Sequence, residues 1–253
     1  MHRSVGLSGD NAGMEISDYL SSEKFDDDYG YRPSVTFSRR PRAELLEDWC
    51  SGRTVLHVGF ADHQPLIASR AASGQWLHAR LCRSARACYG VDINADAVDA
   101  AKRLGFDHVF TLDIHEQDAA DSLQSLPVDL VMVPDVLEHL SNPAAFLKRL
   151  AELFPVAEFI ISVPNALALR NIAHTLTGME RVNTDHRAWF SPYTLQKVLA
   201  DAGLRPTQMT GCAVSAPRSV KGRLLSKLMQ WRPIGSDVLV ARARTGAVLY
   251  TEG

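Results

Sequence analysis

Residues 53–63 read RTVLHVGFADH, and the fold is decided here. Thr54, Val55, Leu56, His57 and Val58 form a run rich in β-branched and aliphatic side chains that ends on Gly59 and a short loop. An apolar run without polar alternation suits a strand covered on both faces, as strands in a parallel sheet are. Residues 88–93 (CYGVDI), 108–112 (HVFTL), 129–133 (DLVMV) and 159–163 (FIISV) repeat the pattern, with helical periodicity between them. Strands alternating with helices predict βαβ units. Asn94 caps a helix that carries Ala97, Val98, Ala101 and Leu104 on one face and stops at Gly105. Asn142-Pro143 and Ser191-Pro192 open two more, because proline in the first turn forfeits no hydrogen bond. Residues 43–52 form a helix that ends at Gly52, and residues 204–214 and 237–243 read as two further strands. The expected domain is residues 43–253, with 1–42 as an N-terminal lid, partly disordered, and 215–236 as a basic amphipathic cap insertion.

The 253 residues carry 27 Lys+Arg against 29 Asp+Glu, a net charge of −2, so no bulk field draws nucleic acid. No apolar run reaches the roughly 20 residues that span a bilayer, and the opening stretch lacks the apolar core of a secretory signal. The expectation is a cytoplasmic protein with no integral membrane segment. Cys50, Cys82, Cys88 and Cys212 form no CxxC pair, and are expected to be reduced structural thiols.

In a doubly wound sheet, ligands bind outside the carboxyl ends of the strands, which places the Gly59 loop and Asp92 on one crevice. A carboxylate there can accept from both hydroxyls of a ribose. GFADHQ does not satisfy G-x-G-x-x-G, and Asp92 follows Gly59 by 33 residues rather than the roughly 20 of a dinucleotide fingerprint. An adenosyl ligand without a pyrophosphate fits better.

The segments VLHVGFADH, YGVDIN, TLDIHE, VDLVMVPDVLEHL and FIISVPN, in this order, resemble the successive motifs of the class I S-adenosylmethionine-dependent methyltransferases over residues 53–204. The stretch VNTDHRAWFSPYTLQKVLADAGL is similar to bacterial members acting on small molecules or saccharides. The resemblance implies an α/β, Rossmann-like, mostly parallel sheet of seven strands with helices on both faces and the last strand antiparallel. It also implies an enzyme that uses S-adenosyl-L-methionine and releases S-adenosyl-L-homocysteine. Carried over, Gly59 lets the backbone approach the methionine part, Asp92 binds the ribose, Ile93 flanks the adenine, Asp113 meets its amino group, and Asp135 lies near the amine and sulfonium. Phe60, Asp62 and Ile114 complete the implied cofactor set. The family usually has an acid where His57 stands and small residues where Phe60 stands.

A hydroxyl acceptor calls for a base of near-neutral pKa. His139, four residues after Asp135, and His186, beside Asp185, are the candidates, with Asp185 as the partner acid; Glu138 is expected to fix the neighbouring loop. Asp135, Asp185 and His186 lack a metal-ligand spacing, so no metal is assigned. Tyr193 and Lys197 match the Y-x-x-x-K pair of short-chain dehydrogenases, but the glycine-rich turn of those enzymes is missing. The DNA amino-methyltransferase motif is missing after residue 133. The expected reaction is O-methylation of a small-molecule, sugar or secondary-metabolite acceptor; the alternative is a non-catalytic protein of this fold that binds the cofactor or scaffolds a partner. Residues 218–232 form a basic amphipathic helix, read as a cap over the acceptor pocket or a homodimer seam in preference to a peripheral membrane contact.

Overall fold

Strand β2 (Thr54–Val58) is buried at every position and lies parallel between β3 (Ala87–Asp92) and β5 (Leu130–Pro134). The computed structural model describes residues 12–61 and 64–246. Beyond β3 lies β4 (Val109–Thr111), and beyond β5 lies β6 (Glu158–Pro164), both parallel to their neighbours. The chain then closes the sheet with β7 (Leu204–Cys212) and β8 (Val238–Thr245), and β8 inserts antiparallel between β6 and β7. The seven expected strands are present. An eighth, β1 (Thr36–Phe37), comes from the segment ahead of the domain and pairs parallel with β7, giving the order β1-β7-β8-β6-β5-β2-β3-β4. Strand order reverses at β2, so a crevice opens at the carboxyl ends of β2, β3 and β5.

Helices cover the sheet: α1 (Ala12–Leu20), α2 (Arg42–Cys50), α3 (Gln64–Ala72), α4 (Leu77–Ser84), α5 (Ala95–Arg103), α6 (Gln117–Leu123), α7 (Pro143–Leu153), α8 (Leu169–Leu176), α9 (Pro192–Asp201) and α10 (Val220–Trp231). Successive strand residues point to opposite faces. Leu56, Val58, Val131, Phe159 and Ile161 therefore pack with Leu147 and Leu150 of α7 and Leu195 and Leu199 of α9. Val55, Leu130, Met132 and Ile160 pack on the other side with Leu45, Leu46 and Leu81. The expected caps hold: Asn94 Oδ1 accepts from Ala97 N at 3.1 Å, Asn142 Oδ1 from Ala145 N at 3.0 Å, and Ser191 with Thr194 forms a reciprocal capping box.

Helix α10 falls where the basic stretch predicts. Among its residues only Met229 is buried, and it packs chiefly on the 3-10 turn Pro233–Gly235 that follows it. No helix among the described residues is long and apolar enough to cross a membrane.

Candidate active site

Gly59 leaves β2 with φ +67°, and its N–H donates to the Val91 carbonyl at 2.9 Å. A Cβ there would lie 2.5 Å from Val136 Cγ2, so both torsion and space demand glycine. Asp92 ends β3 with its carboxylate clamped: Oδ2 accepts from Ala61 N at 3.1 Å and Oδ1 from Asn94 N at 2.9 Å. Burial pushes its pKa up, and these backbone donors oppose the shift. Ile93 beside it is 75% exposed and presents a branched apolar side chain to solvent. Asp113 is exposed after β4, with Oδ1 accepting from His115 N at 2.9 Å. Oriented acids and an exposed aliphatic face at adjacent strand ends fit the ribose and adenine of an adenosyl group.

Two residues of the implied cofactor set stand elsewhere. The Phe60 ring is 2% exposed and turns into a core pocket with Trp76 and His78, their ring centroids 6.2 and 4.6 Å away. It lies flat against Gly90, where an added Cβ would approach it to 2.8 Å; the ring therefore neither narrows the loop nor faces the crevice. Ile114 is likewise buried, in the main core cluster. Asp62 lies outside the described residues. His57 is buried inside β2, with Nδ1 3.2 Å from His78 Nδ1; burial and the neighbouring His78 hold its pKa well below the usual imidazole range. All four cysteines are free; Cys82 and Cys88 lie beside His78, with ligand atoms within 4.8 Å of one another.

Asp135 follows β5 in the left-handed region, φ +52°, a conformation that costs most residues with a Cβ and that Asp tolerates. Its Oδ1 accepts from Ser162 Oγ at 2.9 Å, and its Oδ2 lies 2.6 Å from Arg42 Nη1. Arg42, at the start of α2, was not signalled by any motif; its only sequence cue is its place just before the first helix of the domain.

The 3-10 turn Leu137–His139 then delivers Glu138 and His139. Glu138 is 1% exposed, and neither carboxyl oxygen has a hydrogen-bond partner. Burial, followed by the nearby Asp135 charge, pushes its pKa up to about 8. The Glu138 carbonyl accepts from Arg187 N at 2.7 Å and Ala188 N at 3.2 Å, which fixes the loop carrying His186. His186 Nε2 sits 4.0 Å from Glu138 Oε1, and its ring centroid is 4.8 Å from that of His139. Burial and His139 pull the His186 pKa down, so at neutral pH the contact joins a neutral acid to a neutral imidazole. His139 Nδ1 is 3.2 Å from the Asp185 carbonyl. A carbonyl only accepts, so His139 donates from Nδ1, which directs Nε2 away from this contact. Asp185 accepts through its backbone carbonyl, and its exposed carboxylate acts on His186 through charge alone, opposing the lowering by burial; the buried acid of the group is Glu138. Glu138, His139 and His186 each bring one ligand atom within 4.8 Å of the others, an arrangement with the donors to hold a divalent cation.

Next to His186 opens a cleft of about 300 Å³ that Arg170, Val182 and Asn183 help to line, and a larger one of about 450 Å³ shares Asn171, His174, Arg181 and Trp189 with it. No residue of α10 lines either. Tyr193 and Lys197 hold the N-terminal segment: Tyr193 packs edge-on to Tyr31 at 5.7 Å, and Lys197 Nζ donates to the Tyr19 and Leu20 carbonyls at the end of α1. Both belong to packing rather than to a dehydrogenase site.

A family model described as "Methyltransferase domain" matches residues 39–209. No curated protein matches the chain. Among solved structures, the small RNA methyltransferase HEN1 superimposes with a TM-score of 0.54 at 18% identity, covering 86% of this chain and 27% of that one. The chain thus spans about a quarter of that relative's length. Magnesium protoporphyrin IX methyltransferase from Synechocystis PCC 6803 aligns at TM-score 0.48 and 16% identity over 92% of this chain and 94% of its own. A putative methyltransferase from Haloferax volcanii, solved with the Trm112 activator, aligns at 0.49 and 16% over 81% and 93%. With the family model spanning most of the strand-and-helix core and the sheet order reversing at β2, the chain belongs to the methyltransferase-domain family, within the class I S-adenosylmethionine-dependent superfamily.

Proposed function

We propose that the protein transfers a methyl group from S-adenosylmethionine to an oxygen of a small hydroxylated acceptor, a sugar or secondary metabolite. The observation that carries this reading is the placing of Asp92 and Ile93 at one end of the crevice and two partly buried imidazoles, His139 and His186, past Asp135. The cofactor supplies, when bound, a methyl group on a sulfonium, an electrophile that needs alignment more than acid assistance. Asp92 would hold the ribose, Ile93 the adenine face, Asp113 its amino group, and Gly59 and Asp135 the methionine portion. His186, kept neutral by burial, accepts the proton of the acceptor hydroxyl as the oxygen becomes the nucleophile. Trp189, Asn171 and His174 wall the acceptor side, and a cleft of about 450 Å³ is large enough for one or two sugar-sized rings.

A second reading concerns the same side chains. The partnerless Glu138 carboxyl beside two imidazoles favours a divalent cation that would bind the acceptor oxygen directly and lower its pKa. Release of S-adenosylhomocysteine on incubation with S-adenosylmethionine and a panel of sugars and phenols, with and without Mg²⁺ or Mn²⁺, tests both. Turnover of a hydroxylated acceptor that survives chelator supports the base; turnover lost to chelator supports the cation. Cofactor binding with no turnover of any acceptor sinks both in favour of the non-catalytic alternative.

A further inference from the structure

Helices α8 and α10, linked through the 3-10 turn Pro233–Gly235, both carry exposed apolar side chains, and the cations of α10 have no ion-pair partner among the described residues. Along α10, Val220, Leu224, Leu228 and Trp231 recur at helical spacing on one face and are all exposed, Trp231 to 67%. Around them stand Arg218, Lys221, Arg223, Lys227 and Arg232, and residues 218–232 contain no acid. All five cations are exposed, and none is ion-paired to a described residue. The Arg232 guanidinium lies 4.1 Å from the Trp231 ring centroid, which keeps cation and indole together. Helix α8 has no buried residue; Ile172 and Leu176 point outward, Leu176 at 84% exposure. Leu169 of α8 packs on Gly235 of the 3-10 turn that follows α10, where an added Cβ would come within 2.8 Å of Leu169 Cγ, so α8 is tied to the end of α10 through that turn. On its other side α8 supplies Asn171, His174 and Thr175 to the larger cleft.

We propose that this α8–α10 surface docks on an anionic lipid bilayer, with the acceptor cleft opening beside the membrane. A bilayer of anionic lipid meets both halves of the surface, taking the aliphatic and indole groups into the headgroup boundary while its phosphates face the five cations. A polyphosphate alone would leave the apolar stripe wet. In a two-fold seam between copies the same patch faces itself, and the five cations of each copy would oppose the other's with no acid in the stretch to compensate. If the O-methylation reading above also holds, the acceptor is carried on a lipid; docking itself does not depend on that reading.

Co-sedimentation of the full chain with phosphatidylglycerol–phosphatidylcholine vesicles, compared with pure phosphatidylcholine, reads the docking without any turnover. The expected result is pelleting with the anionic vesicles at low salt, released as salt screens the charges. Lys221→Glu/Arg223→Glu/Lys227→Glu should lower partitioning by about a hundredfold or more, at roughly fivefold per cation removed. Trp231→Ala/Leu224→Ser should weaken it while leaving the salt dependence, and quenching of Trp231 by brominated lipid should vanish in that variant. Each variant is checked for a native melting transition and unchanged S-adenosylhomocysteine binding, so that loss of docking is not loss of fold. Absence of pelleting at low salt, pelleting indifferent to the triple charge reversal, or a stable dimer that shields Trp231 from a soluble quencher overturns the proposal.

Discussion

Arg42 Nη1 lies 2.6 Å from Asp135 Oδ2, which ties the first residue of α2 to the residue that follows β5. Asp135 also presses on Glu138, raising its pKa, while Arg42 opposes that effect. Arg42→Ala frees the Asp135 charge to act on Glu138, so the Glu138 pKa should climb further. An exposed part of the pair is screened, so the affinity cost is modest: calorimetric titration with S-adenosylhomocysteine should show a five- to tenfold loss, from an interaction worth about 1 kcal/mol. Unaltered affinity would take Arg42 out of the cofactor site.

Asp92→Ala should weaken S-adenosylhomocysteine binding at least thirtyfold, because about two charge-assisted hydrogen bonds to the ribose are lost. Asp92→Asn, which can accept through one oxygen only, should fall between. Equal binding by all three proteins would place the ribose elsewhere.

Phe60→Ala separates a structural from a binding role. The buried ring should cost about 3–5 kcal/mol of stability when truncated, while the folded fraction binds the cofactor within a few fold of the parent. A large affinity loss at unchanged stability, read by denaturant unfolding beside titration, would reverse this.

Glu138 gives stability a pH dependence of known sign. Its carboxyl keeps its proton to about pH 8 in the folded chain but would ionise near 4.5 when unfolded, so the unfolded state loses a proton first and stability falls as pH rises between those values. His57 and His186 have lowered pKa values and act in the opposite sense, with stability rising towards pH 6.5 and flat above it. Cys82, whose thiol is lowered to about 5 by its contacts with Cys88 and His78, also makes stability rise with pH in this range, so Glu138→Gln should shift the slope between about pH 6.5 and 8 in the positive direction in melting scans. A slope identical to the parent's would show that the carboxyl is already ionised.

His186→Ala should leave cofactor binding intact and reduce turnover by about 10²- to 10⁴-fold, the usual contribution of a positioned base. Turnover like the parent's would leave His139 as the remaining imidazole.

What the sequence made legible is what short-range chemistry dictates. Thr54–Val58 is bounded as a strand by residue type alone, and the caps at Asn94, Asn142 and Ser191 act within three residues of themselves. Glu138 holds the neighbouring loop as its place suggested, but that its carboxyl rather than Asp185's is buried without a partner comes from the packing of the 183–190 loop on the turn beneath it, which the sequence does not display. Phe60 was set in the crevice by its place in the loop, whereas its rotamer is settled by Trp76, His78 and Gly90, all distant in sequence. The pairing of Arg42 with Asp135 and the packing of Leu169 on Gly235 depend on contacts between elements far apart along the chain, which no local pattern encodes, whereas the amphipathic character of residues 218–232 was legible locally.

The position of β8 has a consequence for how the chain can be made. Strands β2 to β6 are complete by Pro164, and every pairing among them, including the β2–β5 crossover, lies within that stretch, so this half can assemble as it leaves the ribosome. Strand β7 cannot join it directly, because β8 must lie between them. Until Val238–Thr245 emerges, the outer edge of β6 stays an open row of donors and acceptors, the kind of edge that recruits other chains. A stall or a cut between residues 213 and 237 should therefore leave not a shorter enzyme but a sticky one, with β6 and β7 each searching for the strand that was to separate them.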